Sequence, residues 1–414
     1  MIQTNAGGVD LQPPSDSGEL TVAMSETFDG MRIGREEWDK FILEANGDLY
    51  VTYDWCRIWW SHYGENRQLR LYVLRKGDKL VGLAPFFIES VRLGPVNLRI
   101  AKRVGADFAL TVFALPLATD YAETAYRELI LRLTEGEKCD AIWFGLMPGN
   151  DPTLSGLRKA FSSLRDIVTV GRDSGAAPHT LFHLPATFEA HIVALDKQQR
   201  QNYRRQLKLL NKDFNVESNI VRDSQHAKEA FATFKSAHDC QWQADGRLGH
   251  FGDWPRSELF NTELVDELAR LGRFRMIRLS ANGEVVTTQY AFVFGDRCYW
   301  RLPARATERR WDRYGLGVLG LMQLIEAMIG EGVHRLEAGL GHYDYKVRFG
   351  GQELQSSSVL VVSNRHRSIL RARLFLRLSD LLHLVYYRIW FLKLAPRLRF
   401  SQGPLWRIWI RSRL

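Results

Sequence analysis

RCYWRLPARATERRWDRYGLGVLGLMQLIEAMIGEGVHRLEAGLGHYDYKVRFGG, residues 297–351, runs through a strand, a polar connector, a glycine-marked helix, a second strand and an aromatic loop. The strand segments are CYWRLPA and VHRLEAGL, and GVLGLMQLIEAMIGEG between them reads as helical. The loop GHYDYKVRFGG (341–351) then sets one lysine, Lys346, among Tyr343, Tyr345 and Phe349. Gly341, Gly350 and Gly351 allow backbone conformations that other residues resist. A cation placed this way is either an anchor tying the loop to a carboxylate or a charge with work to do.

Upstream, FRMIRLSANGEVVTTQYAFVF (274–294) reads as a hairpin whose turn is marked by Asn-Gly. The same pattern stands in the first half of the chain, where LRLYVLRKGDKLVGLAPFFIE (69–89) gives strand, glycine turn, strand. There YRELILRLTEG leads to CDAIWFGL, as the second-half helix leads to VHRLEAGL. Order and spacing agree while residue identity hardly does, which predicts two copies of one α/β (α+β) unit. The strand pairs joined by short turns are antiparallel.

Composition narrows the class. With 414 residues, 45% hydrophobic and 25% charged, the chain suits a globular protein of two domains. Cys56, Cys139, Cys240 and Cys298 are widely spaced and form no metal motif, which points to a reduced, cytoplasmic protein. The polar start, MIQTNAGGVDLQPPSDSGEL, reads as a disordered lead-in over residues 1–20. The net charge of +9 suggests nucleic acid, but residues 368–414 carry all of it, with ten Arg/Lys against Asp380. The body sums to zero. Between the halves, ALDKQQRQNYRRQLKLLNKDFNVE (194–217) crowds Lys197, Arg200, Arg204, Arg205 and Lys208 on one helix. That is either a solvated face or a basic surface for an anionic substrate or donor phosphates. No stacking platforms for bases are interleaved, so DNA is not expected.

YGLGVLG (314–320) fits the dinucleotide fingerprint letter by letter, and Glu337 lies twenty residues past Gly317. The context argues otherwise, because the polar run RATERRWDRY separates the preceding strand from Gly315. A glycine turn opening a helix still presents free N–H groups to an anion, and the pyrophosphate of a coenzyme A thioester suits it.

These segments together resemble the CelD/BioF2-like acetyltransferase family of the GNAT superfamily, related to the FemAB peptidoglycan aminoacyltransferases. Gly341, Tyr345, Lys346, Phe349 and Gly350 match that family's G-x-x-x-YK-x-x-FG motif. The segments ALDKQQRQNYRRQLKLLNKDF and FKSAHDCQWQADGRLGHF resemble those that open the same domain, and YVTYDWCRIWWSHYG with LVGLAPFFIE resembles the family's first, degenerate unit. The resemblance covers about residues 30–365 and implies tandem GNAT-like domains, a degenerate one at 21–180 and an acyltransferase domain at 181–365. It also implies acyl transfer from acyl-CoA (acetyl-CoA) to a glycan or glycan precursor in cellulose or exopolysaccharide synthesis. An aminoacyl-tRNA donor of the FemAB type and a non-catalytic adaptor remain alternatives. His342 stands where the family commonly has an acid, and Arg313 sits one position too close to Gly315 for the superfamily's coenzyme A signature.

On this reading Lys346, fixed by Tyr345, faces a developing oxyanion or an acceptor phosphate. If the loop is extended, His342 and Asp344 share its face and supply a base. Arg313, Gly315, Leu316, Gly317 and Val318 form the donor site. Trp242, Asp245, Arg247 and His250, in QWQADGRLGH, line an acceptor site; no metal motif is present. The tail, 366–414, is too interrupted by charge to span a bilayer. SILRARLFLRLSDLLHLVYYRIWFLKLAP (368–396) is an amphipathic helix with a basic stripe. It packs on the body or lies peripherally on the inner face of a membrane.

Overall fold

Asn282 and Gly283 both adopt positive φ, +51° and +82°, which matches the right-handed twist of the flanking strands. They join β8 (Phe274–Ala281) to β9 (Glu284–Phe294), paired from Phe274–Phe292 to Ala281–Glu284. In the first half, β2 (Gln68–Lys76) and β3 (Lys79–Leu93) are joined by another two-residue turn, in which Gly77 takes φ +56°. The computed structural model describes residues 19–107, 111–244, 249–252, 255–398 and 405–414. The expected lead-in therefore lies outside the described residues up to position 18, and β1 (Leu20–Ser25) begins at Leu20.

Each hairpin continues into an antiparallel third strand, a crossover helix and a parallel fourth strand. In the first half these are β4 (Val96–Arg103), a helix at Ala122–Leu131 and β5 (Ala141–Pro148). In the second half β10 (Arg297–Arg305) leads through the helix Leu316–Gly330 to β11 (Arg335–Leu340). The two copies read from the sequence are thus present with the same connectivity.

The halves do not form separate sheets. β6 (Val168–His183) leaves the first half to pair with β11, and β12 (Gln352–Ser363) leaves the second half to pair with β5. β6 and β12 also pair with each other, and with β7 (Val216–Val221) at the far edge the result is one twelve-stranded sheet. The boundary expected between residues 180 and 181 falls inside β6. A shared aromatic core also joins the halves. Trp55, on α1 (Tyr53–Tyr63), meets Phe260, on a later helix, at 5.8 Å, and Tyr50 meets Tyr299 of β10 at 5.3 Å.

The tail packs on the body. Ala372 and Phe375, on α2 (His366–Leu382), enter a core with Val91, Leu98, Ile100 and Trp143. Beyond it, Arg411 pairs with buried Glu89, which also meets Lys102 at 2.9 Å. Burial alone would raise the Glu89 pKa, but Lys102, Arg67 and Arg411 hold it down to about 2. Among the described residues no helix is long and apolar enough to cross a membrane.

Candidate active site

β10 and β11 pair only from Arg297–Arg335 to Tyr299–Glu337, and beyond that point they part. A bulge between Trp300 and Leu302 adds to the divergence by twisting β10 away from its neighbour. The loop at 342–346 is not extended, so the condition under which His342 and Asp344 would share a face with Lys346 is not met. Asp344–Arg348 forms a single helical turn, in which the Lys346 N–H donates to the Tyr343 carbonyl at 2.9 Å. Gly350, at φ +103°, and Gly351, whose N–H donates back to the Lys346 carbonyl, close the turn. A Cβ on Gly351 would meet Thr180 at 2.6 Å, so the backbone sits hard against β6.

This turn aims Lys346 inward. It is 6% exposed, its ammonium donates to the Ala338 carbonyl of β11, and it lies 5.2 Å from the Trp300 ring and 4.4 Å from the Tyr343 ring. No carboxylate pairs with it among the described residues, so the lysine is not the carboxylate anchor that the loop also suggested. Burial pushes its pKa down to about 8. The ammonium occupies the place where β11 loses its neighbour β10, bonded to a carbonyl that pairing would otherwise satisfy.

The same turn sends His342 and Asp344 to the surface, away from Lys346. His342 pairs with Glu353 at 2.6 Å and Asp344 at 2.8 Å, and Glu353 first, then Asp344, raise its pKa. Both carboxylates favour the charged form of the ring, which takes it further from the free base that proton abstraction needs. Tyr345 stays beside the lysine, half-buried against the core of the second half.

A cleft of about 460 Å³ opens next to Tyr345 and Trp300 and runs to the start of the helix Leu316–Gly330. Gly315, Leu316, Gly317 and Val318 line it, and no side chain caps the helix. Among the described residues the Leu316 and Gly317 N–H groups have no acceptor and are open to an anion, whereas the Val318 N–H donates to the Gly315 carbonyl at 2.9 Å. Gly315 takes φ +63°, which favours glycine, and the terminal amide of Gln206 lies 2.2 Å from where a Cβ would stand and would have to move. At Gly317 a Cβ would meet nothing within 4 Å. Arg313 does not join this group. Its guanidinium is committed to Asp213 at 2.6 Å and to the Tyr314 hydroxyl. The basic helix Lys197–Asp213 flanks the turn, with Tyr203 and Leu210 buried and Lys197, Arg204, Arg205 and Lys208 exposed.

Across the sheet, the His250 Nδ1 and His238 Nε2 atoms are 3.1 Å apart, and Trp242 packs edge-on to His250 at 4.8 Å. Burial first, then His238 and Arg301, push the His250 pKa down to about 3, so the ring is neutral. Asp245 and Arg247 lie outside the described residues. On this face stands a residue that sequence reasoning did not place in the site. Glu337 occupies the last position of β11 that pairs with β10, and Leu336 and Ala338 beside it point into the opposite core. Among the described residues it accepts no hydrogen bond, and His179 approaches only to 3.9 Å. Burial, then the charge of Asp48, push its pKa up to about 8 against the pull of Arg297 and Arg335. The sequence signal was a lone acid within the apolar strand VHRLEAGL.

A divergent parallel strand pair with an uncapped helix start beside it fits what residues 197–347 match, the model of the acetyltransferase (GNAT) domain. The chain carries a GNAT acetyltransferase domain. The match takes in the basic helix, the glycine turn, Glu337 and Lys346, which places the candidate residues inside an acyltransferase domain. Among solved structures, the chain is similar to the crystal structure of FemX, with a TM-score of 0.56, 12% identity, and 79% of this chain and 96% of that one covered. A tandem GNAT protein from the clavulanic acid biosynthesis pathway aligns with a TM-score of 0.43 and 11% identity over 83% of this chain and 98% of that one. The FemX likeness is one of fold, and it extends through both halves. No curated protein matches the chain.

Proposed function

We propose that the protein transfers an acyl group from acyl-CoA to an amine or hydroxyl of a glycan or glycan precursor, in cellulose or exopolysaccharide assembly. In this reading it works in the cytoplasm, attached peripherally to the inner face of a membrane. The observation that carries the proposal is the cleft that runs from the uncapped start of Leu316–Gly330 to Trp300 and Tyr345, with the buried Lys346 ammonium 5.2 Å from the Trp300 ring at the strand divergence. The residues present suit a phosphate-bearing donor, because N–H groups and the flanking basic helix gather at one end of that cleft.

The donor supplies an activated thioester. Gly315–Val318 hold its diphosphate, and Trp300 and Tyr345 exclude water around the acyl end. Lys346 keeps N–H groups free beyond its bond to Ala338 and turns them toward the negative charge that develops on the acyl oxygen. Glu337, on the opposite face of the strand pair, takes the proton from the acceptor as its nitrogen or oxygen bonds the acyl carbon. The carbon–sulfur bond breaks and the thiolate leaves, to be protonated by solvent. Trp242 and His250 give the acceptor side an aromatic wall and a neutral hydrogen-bonding ring, which suit a sugar. His342, paired with two carboxylates at the surface, is better suited to orienting the loop than to proton abstraction.

The likeness to FemX favours a second reading, an aminoacyl donor of the FemAB type. Thiol release from acetyl-CoA separates the two. We expect release to rise at least tenfold over background when amino-sugar oligosaccharides are added. Release that no glycan stimulates would contradict the glycan reading.

A further inference from the structure

α2 docks by a side made mostly of small residues. At about 100° per residue, buried Ser368, Ala372, Phe375 and Ser379 fall within an arc of about 60°. Three of the four are small. Leu370, Leu374 and Leu381 fall within about 40° on the other side, and they are 61%, 42% and 55% exposed. Arg373 and Arg377 lie immediately beside that leucine stripe and are also exposed. The helix spends its small residues on the body and leaves its large apolar ones uncovered.

The pattern continues past the end of α2. Val385, Ile389 and Leu392 are 51%, 41% and 53% exposed, and Arg388 and Lys393 stand exposed among them. Trp409 of the last helix stacks on Tyr387 at 4.5 Å, and Trp406 stacks on Phe391 at 4.9 Å. The stacks brace the segment, so its exposure is not that of a loose end. Among the described residues no carboxylate pairs with Arg373, Arg377, Arg388, Lys393, Arg397 or Arg407. The acids near the tail are already engaged, with Asp140 on Arg371, Glu89 on Arg411 and Asp380 on Arg172 and Arg413.

Exposed leucines rimmed by unpaired cations need a partner that is apolar inside and anionic at its surface. We propose that the leucine face of α2 and the segment after it form a docking surface for an anionic lipid bilayer, with the helix lying in the plane of the interface. This names the surface behind the peripheral attachment proposed above and does not depend on the acyl-transfer chemistry. Each cation gains from an anionic headgroup layer, and the leucines enter the acyl boundary, while Ser368, Ala372 and Ser379 hold the body on the cytoplasmic side.

The test is flotation of the full chain with phosphatidylglycerol-containing vesicles and with purely phosphatidylcholine vesicles. Wild type is expected to float with the anionic vesicles at least tenfold more than with the neutral ones, and less as salt is raised. The pair Leu374→Glu with Leu381→Glu touches only exposed positions and is expected to cut flotation at least tenfold while circular dichroism and binding of acetyl-CoA stay as in wild type. Flotation unchanged in that variant, no flotation of wild type, or self-association through this face without lipid would each overturn the proposal. Donor binding read in the same preparations keeps its failure separate from a failure of the acyl-CoA reading.

Discussion

Lys346→Met is expected to lower acyl transfer about 100- to 1,000-fold while leaving the fold intact. Methionine follows the unbranched path of lysine between Trp300 and Tyr343 but brings no N–H groups. The cost to the fold is one carbonyl, Ala338, left without its donor, about 1–3 kcal/mol. Relief from burying a charge offsets part of that. The pH dependence gives a second signature. The folded pKa of Lys346 is lowered to about 8, below the ordinary lysine value, so the unfolded chain binds more protons between about pH 8 and the unfolded value. Stability contributed by this group therefore rises with pH across that window, and the rise is absent in the methionine variant. The rate, which needs the ammonium, falls across the same window. Activity within tenfold of wild type would return Lys346 to a purely structural role and favour the adaptor reading.

Glu337→Gln is expected to cost about 100- to 10,000-fold in rate, the range for losing a positioned proton acceptor. Glutamine keeps the shape at the end of the β10–β11 pairing and cannot take a proton. Wild-type rate should rise with pH through the Glu337 pKa, pushed up to about 8, and the variant should lack that limb. Stability carries the opposite sign from the lysine. A carboxyl whose folded pKa is raised stabilises fully below its unfolded value, and that contribution is lost as pH rises toward 8. The glutamine variant should therefore lose less stability than wild type between about pH 5 and pH 8. With both groups active, the wild-type rate is bell-shaped, and each variant removes one side. A Glu337→Gln profile that keeps the acidic limb would assign the base to another group.

The local units were legible in the sequence because their signals are local. Asn282-Gly283 can hardly be other than a turn between strands, and the helix Leu316–Gly330 followed by VHRLEAGL reads as a crossover. The exchange of β6 and β12 was not legible. Which strand pairs with which is decided by contacts more than 150 residues apart, as in Val361 with Ile142, and nothing in QELQSSSVLVVS names its partner. The glycine turn was readable because an uncapped helix start depends on nearby residues alone. The conformation of the Lys346 loop was left open by the sequence: an aromatic-glycine loop does not announce a helical turn set by backbone bonds to Tyr343 and closed by Gly350 and Gly351. Glu337 was passed over because its importance lies in Asp48, Tyr299 and Arg297 around it, all remote in sequence. In the tail, periodicity told which residues share a face of α2. It did not tell which face meets the body, since Phe375 among small residues docks there while the leucines stay outside.

If the start of the helix Leu316–Gly330 binds the donor, calorimetric titration of acetyl-CoA into wild type and Gly317→Asp will separate the two proteins. Gly317 is the position to change because a side chain there meets open space, so the fold should survive, whereas Gly315 is held by its positive φ. An aspartate would place a negative charge where the diphosphate is expected. Wild-type binding that weakens at least 30-fold in the variant, with circular dichroism unchanged, is the predicted result. Equal affinity in the two proteins, or no binding to wild type, would contradict it.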